Sequence, residues 1–238
     1  MPANQALTCL PGVGPVLAKR LAKLGLVQIQ DLLFHLPIRY EDRTRIIAIE
    51  KLPPFTHGLV DGRIRFCSIQ RRRQTSLIVT LDDGSGCLDL RFFHFHAKQK
   101  HSFAVNRRIR CFGEIRPGFT GLEMVHPQYH VYDHSPPPLE QALTPVYPIT
   151  EGVNQTRLQL VNAAFAILRE QDSIIEDLLA PLLKSQYPLP DLLTSLQCLH
   201  QPSPGEDTKA LRHHGHPARQ RLIMEELLAH QLSLSQLK

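Results

Sequence analysis

Residues 87–95 read CLDLRFFHF, and their strict alternation puts Leu88, Leu90 and Phe92 on one face and Asp89, Arg91, Phe93 and Phe95 on the other. A period of two belongs to a half-buried strand, and a strand needs neighbours to pair with. Residues 58–70 (GLVDGRIRFCSIQ) and 75–82 (TSLIVTLD) have strand composition and are joined across Arg71, Arg72, Arg73 and Gln74, where a hairpin tip is expected. Asp82, Asp83, Gly84, Ser85 and Gly86 form a tight polar turn into the 87–95 strand. A short helix over 97–103 precedes strands at 107–116 and 122–126, with Pro117, Gly118 and Gly121 marking the turn between them. Five strands with a helix between the third and fourth is the order of an OB-fold, a small barrel that commonly binds oligonucleotides.

The fold class expected is therefore α+β: a five-stranded OB-fold β-barrel over residues 53–135, flanked by helical segments. In residues 1–52, Pro11, Gly12 and Gly14 make a turn, after which Val16, Leu17, Leu21 and Leu24 recur at helical spacing until Gly25. A second helix over 29–36 ends at Pro37. This is a helix-hairpin-helix-like element, whose turn could grip a phosphate through Gly12, Gly14 and Lys19. A helical hairpin that only packs on its neighbour is the alternative. After Asp133 the run SPPPLEQALTPVYP has the composition of a stiff linker, and helical periodicity follows at 155–169, 173–184 and 191–197, making 136–205 a linker with helices. Residues 206–238 hold an amphipathic stretch, ARQRLIMEELLAHQLSLSQLK, whose end without a cap reads as a cut.

Charge and aromatic placement point to a polyanion. Basic residues exceed acidic ones by three in residues 1–56 and by five in 57–135, whereas 136–238 has an acidic excess of three. On the strand at 107–116, alternation sends Ile109, Cys111 and Ile115 inward and Arg108, Arg110, Phe112 and Arg116 outward. Two strand faces thus interleave arginine with phenylalanine, the combination that neutralises phosphates and stacks on unpaired bases. The expected nucleic-acid contacts are Arg71, Arg72, Arg73, Arg91, Phe92, Phe93, Phe95, Arg108, Arg110 and Phe112. Against this stand a solvated arginine loop and phenylalanines that cover a neighbouring domain.

Other chemistries are not indicated. Cys9, Cys67, Cys87, Cys111 and Cys198 are scattered without a C-x-x-C pair, and neither His94 and His96 nor His213, His214 and His216 have cysteines or carboxylates at ligand spacing, so no metal is expected. No nucleophile elbow, zinc-protease or phosphate-loop sequence is present, and no catalytic residue is assigned. There is no apolar run near membrane length and no signal-peptide pattern, so a cytoplasmic protein is expected.

Taken in order and spacing, LPGVGPVLAKRLAKLGL, DLLFHLPIRYEDR, LDDGSGCLDLRFFHF, PVYPITEGVNQTRL and HPARQRLIMEELLAHQLSL resemble the amino-terminal half of the RecG family of bacterial ATP-dependent DNA helicases, which remodel stalled replication forks. The resemblance covers nearly the whole chain. It implies a wedge domain that splits a fork at its branch point, aromatic side chains that stack on the separated bases, and a downstream two-lobed ATPase motor. Arg91, Phe92 and Phe93 match the family's wedge signature. Alternation makes Phe93 the stacking candidate and Phe92 the core one, and the resemblance leaves open which ring meets the base. Where some members carry a second aromatic this chain has Ala97, which leaves that role unfilled or passes it to Phe95. The ATP-binding motifs would lie beyond Lys238, so ATP and Mg are cofactors of the full-length protein, with none in this chain. The partners implied are branched DNA (replication forks, Holliday junctions) and a single-stranded-DNA-binding protein, and a monomer is expected. An OB-fold RNA-binding module and a protein-interaction domain are the competing readings.

Overall fold

The alternation beginning at Cys87 does form a strand, but the strand ends at Phe92, three residues before the pattern does. The computed structural model describes residues 5–71, 74–148, 160–170, 177, 179, 186–203 and 205–236. Its elements in chain order are α1 (Pro15–Ala22), α2 (Ile29–Phe34), β1 (Arg39–Glu41), β2 (His57–Arg71), β3 (Thr75–Asp82), β4 (Cys87–Phe92), α3 (Ala97–Ser102), β5 (Arg108–Pro117), β6 (Leu122–Val125), β7 (Gln128–Tyr132), β8 (Thr144–Val146), α4 (Leu160–Glu170), α5 (Leu192–His200), α6 (Thr208–Arg212) and α7 (Pro217–Gln236). They group into two compact units, one of residues Asp42–Ala142 and one of Met1–Glu41 with Leu143–Lys238. No helix among the described residues is long and apolar enough to cross a membrane.

The first unit is built on a six-stranded sheet in the order β2-β3-β4-β6-β5-β7, with a further pairing between β2 and β5. That extra pairing returns the ladder to its starting strand. β2 serves both neighbours in turn: His57–Arg63 runs antiparallel to β5, and Arg63–Arg71 antiparallel to β3. The change of partner falls at Gly62, where a Cβ would lie 2.6 Å from the carbonyl oxygen of Asp82, so only glycine permits the approach. A register shift between Ile64 and Phe66 follows at once. On β3, Leu77, Ile78, Val79 and Leu81 are all buried, as expected of a strand covered on both faces. β4 contributes Leu88, Leu90 and Phe92 to the core, where the Phe92 ring meets those of Phe103 and Tyr129, each at 5.5 Å between centroids.

β2, β5 and β7 are also tied by charge. Asp61, 6% exposed, accepts hydrogen bonds from Arg108 Nη2 (2.8 Å), Arg110 Nε (2.9 Å) and the Tyr132 hydroxyl (2.6 Å). The middle of the β5 face expected to be open, at Arg110 and Phe112, is covered, while Arg108 and Arg116 remain exposed. Arg110 donates its Nη1 to the Pro137 carbonyl, and Phe112, 4% exposed, lies beneath the Arg43 guanidinium at 4.2 Å from its ring centroid. β7, with Tyr129 and Val131 packed partly on the core, is a strand that the five-strand reading omitted.

The second unit joins the two ends of the chain. Leu7, Leu21, Ile29, Leu32 and Leu33 share one buried cluster with Val161, Phe165, Leu168, Leu192 and Leu196. β1 and β8 pair antiparallel, so part of the proline-rich segment read as linker is a strand. The compact grouping thus differs from the four consecutive segments inferred at 1–52, 53–135, 136–205 and 206–238. α1 buries Leu17 and Leu21 while Val16 faces solvent, and Gly25 ends the turn with φ +78°. Helix expected at 173–184 lies outside the described residues, except for Asp177 and Leu179. In α7 burial is confined to the start, at Ala218 and Arg221, and Leu227, Leu232 and Leu234 are exposed.

His200 is a buried imidazole of this unit. Its Nε2–H donates to the Leu33 carbonyl (2.8 Å), leaving Nδ1 to accept from the Tyr147 hydroxyl (2.8 Å). Burial pushes its pKa down from 6.5 to about 4. The unfolded chain therefore takes up this proton more readily than the folded one, so the contribution of His200 is complete above pH 6.5 and is lost as pH falls toward 4. The loss amounts to roughly 3 kcal/mol. Urea unfolding across that window should show a steeper fall for the wild-type chain than for His200→Gln; parallel pH profiles would contradict it.

Candidate nucleic-acid interface

Register brings three separate chain reversals to one end of the sheet. The β2–β3 hairpin closes at Arg71 opposite Thr75, and Leu77, two residues into β3, is already opposite Phe92, the last residue of β4. On the other side of β4, Arg91 stands opposite Val125, the last residue of β6. The hairpin tip, the turn after β4 and the turn after β6 therefore form a common rim, and α3 continues from it. Arg71, His94, His96, Lys98, Lys100 and His101 are exposed there, while Phe93 and Phe95 are half-buried. Arg72 and Arg73 lie outside the described residues.

His126 holds this rim together. Its backbone N–H donates to the Arg91 carbonyl at 2.8 Å, a last rung after the β4–β6 ladder. Its Nε2 accepts the Phe93 N–H at 3.1 Å, so the side chain takes the donor that a continuing strand would have satisfied. This accounts for the early end of β4: β6 offers no further backbone, because His126 adopts φ +47° and Pro127 follows. The His126 ring lies 5.9 Å from the rings of Phe93 and His94, the second in a stacked arrangement. The result is a small aromatic platform fixed to the end of β4, followed in the chain by the exposed Lys98 and Lys100 of α3. Rings so placed can stack on unpaired bases for about 1–3 kcal/mol each, and the cations beside them can neutralise phosphates.

The structure separates the residues expected to act as one surface. Arg91 is not an open cation: its Nε and Nη2 donate to Glu123 Oε2 at 2.9 and 2.8 Å, and its Nη1 to Ser76 Oγ at 3.3 Å. Phe92 is a core residue, 2% exposed, and Phe95 packs partly against the same core. Arg108 is half-exposed while bound to Asp61, whereas Arg110 and Phe112 are buried and cannot offer an aromatic-basic face. Alternation assigns a side chain to a face but does not determine what covers that face. Gly12, Gly14 and Lys19 belong to the other unit and are exposed, with Gly12 at φ +84° and Gly14 preceding α1.

Among the exposed rings that alternation does not reveal, two are informative. Phe66, 69% exposed, is carried to the outer face by the register shift after Ile64; simple alternation from Ile64 would have turned it inward. Phe119, 79% exposed, sits in the β5–β6 turn, where Thr120 Oγ1 donates to Asp89 Oδ2 at 2.7 Å. His126 had no signal of its own, since its importance depends on the parallel pairing of β4 with β6.

A family model described as RecG wedge domain matches residues 8–166. The chain is 44% identical over 235 residues to the ATP-dependent DNA helicase RecG of Escherichia coli (strain K12), and 42% identical over 234 residues to that of Haemophilus influenzae. In both cases the match covers 98% of this chain and 33% of the relative, so the chain spans about a third of the length of the curated relatives it matches. A solved structure of RecG bound to a three-way DNA junction superposes with a TM-score of 0.64 at 24% identity, covering 98% of this chain and 31% of that one, a likeness of fold.

If His126 is the brace, its loss should loosen the turn without unfolding the strand. In His126→Ala the Phe93 amide should exchange with deuterium about fivefold faster, the equivalent of one ordinary hydrogen bond, while the Leu90 amide is unchanged. An unaltered Phe93 rate would remove His126 from this role.

Proposed function

The chain belongs to the RecG wedge domain family, and from that premise we propose that it binds branched DNA and separates strands at the branch point. The reading is of a domain that recognises the shape of a fork or Holliday junction rather than its sequence. It would serve a RecG-like ATP-dependent helicase in fork rescue, recombination and repair, with ATP and Mg used by the part of the longer protein that this chain lacks. The 238-residue chain itself is assigned no ATPase activity.

One observation carries the reading: the Phe93–His96 turn, braced by His126, shares a rim with the hairpin tip at Arg71 and the lysines of α3. We read the closed circuit of pairings from β2 through β3, β4, β6 and β5 back to β2 as the OB-type barrel of the wedge. In this reading a duplex arm approaches the basic rim, and the exposed face of Phe93, with His94 beside it, caps the terminal base pair. Stacking there would offset part of the few kcal/mol needed to unstack a step. Arg71, with Arg72 and Arg73, would track the backbone, each phosphate contact steepening the salt dependence of binding.

Gel-shift titrations of the chain with forked, single-stranded and duplex DNA test the proposal. The fork should bind most tightly, and Phe93→Ala should weaken fork binding by about 1–3 kcal/mol while duplex binding changes little. Equal losses on fork and duplex would sink the stacking role, preference for structured RNA would favour an RNA-binding module, and failure to bind any nucleic acid at low salt would favour a protein-interaction domain.

A further inference from the structure

Three side chains of the helical unit come together from separate stretches of chain. Cys198 lies in the last turn of α5, Glu206 just before α6, and His216 just before α7. Their potential ligand atoms, the Cys198 thiol, a Glu206 carboxylate oxygen and one His216 imidazole nitrogen, all lie within 4.8 Å of one another. Among the described residues this is the only group of three or more such side chains so arranged, and each is half-buried.

Glu206 provides a second, independent observation. Its Oε1 accepts the Ser203 N–H at 3.1 Å, but its Oε2 is buried without a hydrogen-bond partner among the described residues. A buried carboxylate oxygen without a donor is unfavourable unless a cation or proton satisfies it. The Arg219 guanidinium, close to His216 in sequence, donates to the carbonyls of Leu211 and Pro37. The His216 ring makes one long contact, accepting the Ala218 N–H on Nδ1 at 3.3 Å, which a coordinating ring can give up.

We propose that Cys198, Glu206 and His216 form a zinc-class divalent metal site that ties the end of α5 to the starts of α6 and α7. Sulfur, imidazole nitrogen and carboxylate oxygen together suit zinc, and are a poor set for magnesium or calcium, which take oxygen alone. Bond lengths of about 2.0–2.3 Å place tetrahedral ligands roughly 3.3–3.8 Å apart, so closing from 4.8 Å requires side-chain shifts of about an ångström. Three protein ligands leave the fourth position to water. Coordination replaces the thiol S–H bond by a sulfur–metal bond and releases one proton to solvent. The site was invisible in RHHGHP because its other two ligands come from earlier turns of the chain.

The test uses the full chain, stripped with a chelator and titrated with Co2+ and then Zn2+. One equivalent of cobalt should give a thiolate-to-cobalt charge-transfer absorption that zinc displaces. Cys198→Ser should abolish that band, and Glu206→Gln and His216→Gln should each weaken zinc binding at least about tenfold, with circular dichroism verifying that each variant is folded. His213→Gln should leave the affinity unchanged. The proposal is overturned by the absence of the band in the wild-type chain at saturating cobalt, by its persistence in Cys198→Ser, or by an unaltered zinc affinity in folded Glu206→Gln. Because the wild-type spectrum decides the matter alone, a variant that fails to fold does not rescue the site.

Discussion

One strand with two partners governs the sheet unit. β2 gives its first half to β5 and its second half to β3, and the close approach at Gly62 to the Asp82 carbonyl makes that division possible. Because the ladder returns to β2, Val60, Ile64, Leu88, Leu90 and Ile115 are enclosed in one core rather than spread on an open sheet. Asp61, one residue before the bend, binds two arginines of β5 and the Tyr132 hydroxyl of β7. A buried carboxylate paired this fully is costly to disrupt, since removing it would leave Arg110 charged and without its partner.

The core face of this sheet is filled with buried side chains, and part of its other face is covered by Arg43 and Pro137. The strand ends remain. At one of them the β4 turn is fixed on both sides, by the pairing that ends at Phe92 and by the His126 side chain on the Phe93 amide. A half-exposed ring on such a turn is pre-oriented, so little ordering entropy would be spent if a partner stacked on it. Arg91 contributes from within: its pairing with Glu123 links β4 to β6, and that pairing positions His126.

The sequence made the local pattern readable and hid what distant segments do to it. Leu88, Leu90 and Phe92 alternate into the core as their spacing requires, and the short helix over 97–103 is present as α3. Phe112 and Arg110 show the limit, because the residues that cover them lie some distance along the chain from β5. Phe66 shows another, since one register shift reverses the face of every residue after it. The joining of Leu7–Leu33 with Val161–Leu196 in one core is likewise a long-range fact that composition cannot carry. At the rim, Phe93 was legible from the RFF segment, whereas its brace, His126, became visible only with the parallel β4–β6 pairing.

On the proposed function, the turn after β4 meets the unpaired base at a branch point. Fluorescence of 2-aminopurine placed at the branch position of a fork reads that contact directly. At saturating protein the wild-type chain should change the probe's emission as a ring stacks on it, and Phe93→Leu should bind the fork without that change. The same emission change from Phe93→Leu as from the wild-type chain would contradict the account.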